Sequence, residues 1–207
     1  NATEEWAVTP VTPPTTGGVW SVGDPMIVGR MSLGGFGTQA AALGFGGGTP
    51  AITNSTEAYN GVVWNTGNVL STARNSLAGA GTQTAALAFG GGSTEEYNGV
   101  AQTWSSAPSN LITSRVFLAG SGTQTAALAF GGNAATAGAT EEYNSGTWSA
   151  APANLITGRR SLAGAGTQTS ALAFGGYITG IGRPGNTEEW GAAPGVLISS
   201  FVNGFNF

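Results

Sequence analysis

Residues 115–132 read RVFLAGSGTQTAALAFGG, and this stretch decides the architecture because the chain contains it in four versions. Residues 74–91 read RNSLAGAGTQTAALAFGG, residues 159–176 read RRSLAGAGTQTSALAFGG, and a looser copy, RMSLGGFGTQAAALGFGG, occupies residues 30–47. A second phrase, Thr-Glu-x-aromatic, alternates with these copies. Repetition of this kind is typical of one supersecondary unit stacked on itself.

The spacing of the copies indicates which kind of unit is stacked. The Gly-Thr-Gln triplets begin at Gly37, Gly81, Gly122 and Gly166, which are separated by 44, 41 and 44 residues. A tryptophan precedes the arginine of each copy by 10 or 11 residues, and the four are Trp20, Trp64, Trp104 and Trp148. A period in the forties with several short strands per unit is typical of the blades of a β-propeller.

The third copy predicts four short antiparallel strands. The first is expected over 117–121 and the second over the apolar run 124–130, which ends at two glycines. The third covers the phrase at 140–144, and the fourth surrounds Trp148. A helix is the alternative for runs such as 83–89, because Ala and Leu favour helices, but these runs are short and bounded by glycines. We therefore predict an all-β fold of four-stranded blades.

Composition excludes several classes of function. The net charge is −4, the six cations are all arginines, and the chain has no cysteine or histidine, so neither nucleic-acid binding nor a zinc, copper or Ser-His-Asp site is expected. Asp24 is the only aspartate, which does not suffice for a calcium loop. No apolar run is long enough to cross a bilayer, so we expect no membrane insertion. We predict that the chain uses no cofactor and is not an enzyme.

The repeat resembles the kelch motif, in which a double glycine after an apolar strand is followed by Glu-x-Tyr-Asn, a tryptophan and an arginine. The wording LAGAGTQTAALAFGG followed by TEEYN is similar to kelch-like repeats in structural proteins of marine cyanophages. The resemblance covers nearly the whole chain. It implies a propeller on a virion, contacts with other virion structural proteins and no catalysis. Kelch propellers usually have more blades than the four found here.

The domain boundaries follow from the repeats. We expect one propeller over 1–190, with repeats near 30–66, 74–106, 115–150 and 159–190, followed by an apolar tail over 191–207 that is a candidate interface. The chain holds four inner strand pairs but five Thr-Glu phrases. We favour a closed ring of four blades in which the N-terminal strands, 3–22, complete the last blade and leave Trp190 surplus. A partial fifth blade is the alternative.

The glutamates and arginines of the repeat are interpreted as structural. Adjacent residues of a strand face opposite ways, so the two carboxylates of one phrase cannot share a site. The first glutamate of each phrase is expected to accept hydrogen bonds from a repeat arginine inside the blade. The glutamates are Glu57, Glu95, Glu141 and Glu188, and the arginines are Arg30, Arg74, Arg115 and Arg159.

Recognition by loops is the remaining functional interpretation. The loops after the double glycines vary most in length, and binding groups usually lie on variable loops held by a rigid frame. The candidate binding residues are Tyr177, Ile178 and Arg183 in the longest loop and Asn133 and Thr136 in another. Three hypotheses follow: a phage virion protein on the tail, fibre or capsid, a module that binds a host-surface glycan or receptor, and a cellular kelch adaptor, which ranks lowest.

Overall fold

A computed structural model describes residues 22–133 and 137–191. Fifteen strands form four antiparallel sheets in these residues, and no helix occurs in them. Each sheet corresponds to one repeat, and the sheets follow one another as the blades of a four-blade β-propeller. The predicted all-β propeller is therefore confirmed.

Three of the blades have four strands in the simple order of the chain. The first blade comprises β1 (Gly34–Thr38), β2 (Ala41–Phe45), β3 (Thr56–Tyr59) and β4 (Trp64–Gly67). The second comprises β5 (Ala78–Thr82), β6 (Ala85–Gly90), β7 (Ser93–Asn98) and β8 (Thr103–Ser106). The third comprises β9 (Ala119–Gly122), β10 (Ala126–Phe130), β11 (Thr140–Asn144) and β12 (Thr147–Ala150).

The fourth blade has three strands within the described range, β13 (Ala163–Gly166), β14 (Ser170–Phe174) and β15 (Thr187–Gly191). Strand β15 pairs with β14, with Phe174 opposite Thr187 and Ala171 opposite Trp190. Trp190 thus lies on the third strand of this blade. The closure scheme favoured from the sequence left Trp190 surplus, and it is wrong on this point. The segments 3–21 and 192–207, which include Trp20 and nearly all of the apolar tail, lie outside the described residues.

Two strand boundaries differ from the sequence expectation in the third repeat. The first strand begins at Ala119 because Phe117 adopts a left-handed backbone, with φ of 59°, and donates its N–H to Ser76 O of the second blade. The second strand begins at Ala126 because Thr123 and Ala126 close a turn through hydrogen bonds of 2.8 and 3.1 Å. The stretch 83–89 contributes to strand β6, which excludes the helical alternative.

Blades pack face to face through one repeated contact. A phenylalanine at the end of the second strand lies against a glycine in the first strand of the next blade, in the pairs Phe45–Gly79, Phe89–Gly120 and Phe130–Gly164. A Cβ on Gly79 would lie 2.7 Å from Phe45 Cζ, so only glycine admits the ring here. The three apolar core clusters lie one at each of these junctions, which makes the blades mutually dependent for burial.

Around the centre, a hydrogen bond passes from each blade to the next. Ser76 N donates to Ser32 O, Phe117 N to Ser76 O, and Ser161 N to Phe117 O, each at 2.7 Å. A central cavity of about 290 Å³ is lined by residues of all four blades. Within the described residues, no hydrogen bond connects the fourth blade with the first.

Candidate functional site

The repeat arginines and glutamates form one buried ion pair in each blade. Their side chains lie together inside the blade and are almost completely shielded from water. The nitrogen–oxygen distances are 3.0 Å in Arg30–Glu57, 2.8 Å in Arg74–Glu95 and 3.2 Å in Arg115–Glu141, and Arg159 pairs with Glu188. The structure thus brings together all eight residues that the sequence assigned to this role.

Each carboxylate also holds the segment that enters its blade. Glu95 accepts the backbone N–H of Ser71 at 2.8 Å, and Glu141 accepts that of Ile112 at 2.7 Å. The guanidinium of Arg74 donates to the carbonyl oxygen of Gly90, the first residue of the double glycine, at 2.8 Å. The pair therefore connects the incoming segment, the second strand and the third strand, which is an architectural role.

Burial changes the pKa of the repeat arginines, and their pairing with glutamates opposes that change. Removal from water lowers the pKa of Arg74 and Arg115 below its ordinary value, while the facing glutamate raises it. A buried charge is tolerated when it is paired and hydrogen-bonded, as each of these guanidinium groups is. All four blades have the same pair, so no copy has the distinct environment expected of a catalytic acid or base.

The fourth-strand tryptophans of the second and third blades connect their blades to the preceding ones. Trp104 donates its indole N–H to Thr56 Oγ1 and Trp148 donates to Thr94 Oγ1, both at 3.0 Å. The ring of Trp148 also packs edge-on against Phe89, with 5.0 Å between centroids. Trp64, in the first blade, is half-buried and packs against Tyr59 of its own blade.

The glutamines of the second, third and fourth Gly-Thr-Gln triplets make a contact between blades that the sequence analysis missed. Gln83 donates to Ala42 O and Tyr59 O, at 3.0 and 2.7 Å. Gln124 repeats this with Ala86 O and Tyr97 O, and Gln168 with Ala127 O and Tyr143 O. The signal was present in the sequence, because an amide at the same place in four otherwise apolar stretches needs a partner.

A cavity of about 290 Å³ lies between the third and fourth blades. Phe130, Thr140 and Trp190 line it, together with the segment 153–156. Phe130 and Thr140 correspond to the two residues that hold Trp148 one junction earlier, Phe89 and Thr94. The cavity is therefore the position of a fourth-strand tryptophan, and the described part of the fourth blade contributes no fourth strand to it.

The long loop after the last double glycine brings some of the candidate binding residues together. The guanidinium of Arg160 lies over the ring of Tyr177, 4.9 Å from its centroid. These two residues, Arg183, Pro184 and Phe117 line a cavity of about 660 Å³. An aromatic ring with two guanidinium groups can stack on a sugar ring and donate hydrogen bonds to hydroxyl or carboxylate groups.

The other candidate binding residues are placed differently. Ile178 is buried and forms a bridge with Gly182, so its side chain supports the loop from within. Asn133 Oδ1 accepts the backbone N–H of Val116 at 3.1 Å and so holds a turn. Thr136 lies outside the described residues.

No cluster of side chains suited to a metal ion occurs in residues 22–133 and 137–191. A search for a helix that could span a membrane also finds none in the part of the chain that the structure describes. The sequence matches no protein-family model and no curated protein. The features that bear on function are therefore the repeat and its geometry.

Proposed function

We propose that this chain is a structural protein of a phage particle, a kelch-like propeller on the tail, fibre or capsid that attaches by protein–protein contacts. The observation that carries this proposal is the uniform use of charge. Eight of the sixteen charged residues form four equivalent ion pairs inside the blades. The repeat chemistry thus serves the scaffold, and these four pairs within the described residues set no acid or base apart from the others.

The resemblance of the repeats to cyanophage structural proteins supplies the biological setting. The double glycines, the Glu-x-Tyr-Asn phrases and the buried arginines that motivate the kelch comparison occupy equivalent places in successive blades. The proposed partners are other virion structural proteins, the proposed location is the particle itself, and the proposed role requires neither catalysis nor a cofactor.

The test is to find the chain on particles. Antibodies raised against the purified chain should label one defined structure on purified cyanophage particles by immunogold electron microscopy, and mass spectrometry of those particles should detect its peptides. Antibody depleted with the purified chain serves as the control. Recovery of the peptides only from the non-particle fraction of infected or environmental samples would contradict the virion assignment.

A second candidate function is binding of a host-surface glycan or receptor through the long loop. The stacked Arg160–Tyr177 pair beside Arg183, in a cavity of a size that suits small ligands, favours it. A glycan array probed with the labelled chain is the direct test, with Tyr177→Ala as the binding-site variant and Tyr59→Ala, a tyrosine of the first blade, as the matched control. Absence of any hit, or hits that survive Tyr177→Ala, would reject this candidate.

A further inference from the structure

The first and fourth blades present the two unpaired halves of one blade junction. At each of the three internal junctions, the earlier blade contributes a phenylalanine, two backbone carbonyl groups and a threonine. We call this side the phenylalanine face. The later blade contributes a glycine and a glutamine at all three junctions and a tryptophan at the first two, and we call this side the glutamine face. The first blade exposes a glutamine face and the fourth blade exposes a phenylalanine face.

The phenylalanine face of the fourth blade is complete and open to solvent. Phe174 corresponds to Phe45, Phe89 and Phe130, which are at most 3% exposed, yet it is 39% exposed. Thr187, which corresponds to Thr56 and Thr94, is also exposed. The carbonyl groups at Ala171 and Trp190 correspond to the pairs that accept a glutamine at the internal junctions.

The glutamine face of the first blade has the matching residues. Gly35 corresponds to Gly79, Gly120 and Gly164, which receive the phenylalanine ring of the preceding blade, and it is exposed. Gln39 corresponds to Gln83, Gln124 and Gln168, and it is exposed and makes no hydrogen bond with the described residues. The indole N–H of Trp64 likewise has no partner among them, although Trp104 and Trp148 each reach a threonine of the preceding blade.

We propose that the phenylalanine face of the fourth blade binds the glutamine face of a second copy of this chain. Phe174 packs on the second copy's Gly35, its Gln39 donates to the carbonyl groups of Ala171 and Trp190, and its Trp64 donates to Thr187. The two faces of one molecule are fully formed yet make none of these hydrogen bonds with each other.

A head-to-tail contact of this kind closes a ring when the rotation between copies allows it. For two copies that exchange both faces, such a ring has eight blades, which is within the range of four to eight blades typical of propellers. The inference does not depend on the proposed function, because it rests on contacts repeated within the chain.

The first measurement is the mass of the full 207-residue chain by size-exclusion chromatography with light scattering over a concentration series. The expected result is a discrete species of twice 20.5 kDa. Phe174→Arg should weaken the dimer at least about tenfold, because it places a charge where an apolar side chain must be buried. Val100→Arg, which changes a 95%-exposed apolar residue of the second blade, is the matched control and should leave the dimer intact.

Mixing variants distinguishes head-to-tail contact from a symmetric one. Phe174→Arg blocks only the phenylalanine face and Gly35→Arg only the glutamine face, so each variant alone should be monomeric. A mixture of the two retains one intact junction and should form a heterodimer. Circular dichroism spectra like that of the unmodified chain establish that both variants fold. A monomeric unmodified chain, a dimer unaffected by Phe174→Arg, or no heterodimer in the mixture would overturn the proposal.

Discussion

The junction between the second and third blades is filled, whereas the junction between the third and fourth is built from the same residues and is not. At the former, Trp148 covers Phe89 and donates to Thr94, and Tyr143 donates to Glu96 at 2.6 Å. At the latter, Phe130 and Thr140 face a cavity, and Trp190 donates to Gln168 O of its own blade. One tryptophan on a fourth strand therefore separates a closed junction from an open one.

The largest effect is expected from removing that tryptophan. Trp148→Ala should lower the free energy of unfolding by about 3–5 kcal/mol, because a large buried side chain is lost and a cavity remains. Trp190→Ala, which truncates a half-buried ring at the open junction, should cost clearly less. Urea unfolding followed by circular dichroism measures both. Equal losses would mean that the two junctions do not differ energetically.

The ion pairs offer a second comparison between the same blades. Glu95→Gln leaves Arg74 buried without a counter-charge and should cost about 3 kcal/mol. The side chain of Glu95 is 1% exposed and that of Glu188 is 13% exposed, so Glu188→Gln should cost less than Glu95→Gln. Chemical denaturation of both variants is the measurement, and Glu189→Gln, at an exposed neighbour, is the control. A larger loss at Glu188 would reverse the ranking of the two blades.

The amide bridge between blades should contribute less. Gln124→Ala removes two hydrogen bonds to backbone carbonyl groups and is expected to lower the free energy of unfolding by about 1–2 kcal/mol. The exposed neighbour Thr125 provides the control, since Thr125→Ala removes a side chain of similar polarity outside the bridge. Thermal or urea unfolding distinguishes them. Losses of the same size in both would indicate that the bridge adds nothing measurable.

The smallest expected effect is that of the tyrosine hydroxyl at the filled junction. Tyr143→Phe should cost about 1 kcal/mol at neutral pH, because it removes the hydrogen bond to Glu96. Burial, and after it the hydrogen bond to Glu96 and the charge of that residue, raise the pKa of Tyr143. In an unfolded chain the pKa of a tyrosine is about 10. The native state therefore holds this proton more tightly, and its contribution is present below about pH 10 and is lost as the pH rises further.

The measurement is the stability of both proteins from pH 8 to 11 by urea unfolding, where the two ends of the range bracket the tyrosine pKa of about 10. The difference in the free energy of unfolding between the unmodified chain and Tyr143→Phe should become smaller as the pH rises above that pKa. Tyr97, whose pKa burial also raises, titrates in both proteins and so cancels from the difference. If this difference in the free energy of unfolding stays constant across the pH range, the native state does not bind the hydroxyl proton of Tyr143 more tightly than the unfolded state does.

The parts of this molecule that the sequence predicted are local ones. The period of the repeat predicted the blades, and the Thr-Glu phrase at 140–144 predicted strand β11 with its observed bounds. The interpretation of Glu95 as the partner of Arg74 needed only the alternation of side chains along a strand. Each of these features is decided within one repeat, so a pattern along the chain is sufficient.

The contacts between blades were not predictable in the same way. Gln124 reaches two carbonyl groups that lie 38 and 27 positions away along the chain, and Trp148 reaches a threonine 54 positions away. Such partners are defined only after the blades stack, and the backbone carbonyl groups carry no sequence signature. Phe117 shows the same limit, since its left-handed backbone serves a hydrogen bond to the preceding blade.

The burial of the repeat arginines has a practical consequence for proteolysis. Trypsin cleaves after lysine or arginine, and all six cations here are arginines. The side chains of Arg30, Arg74, Arg115 and Arg159 are at most 4% exposed, and Arg183 is followed by proline, a bond that trypsin cuts poorly. The native protein therefore offers trypsin essentially one bond, that between Arg160 and Ser161, at the entrance to the fourth blade.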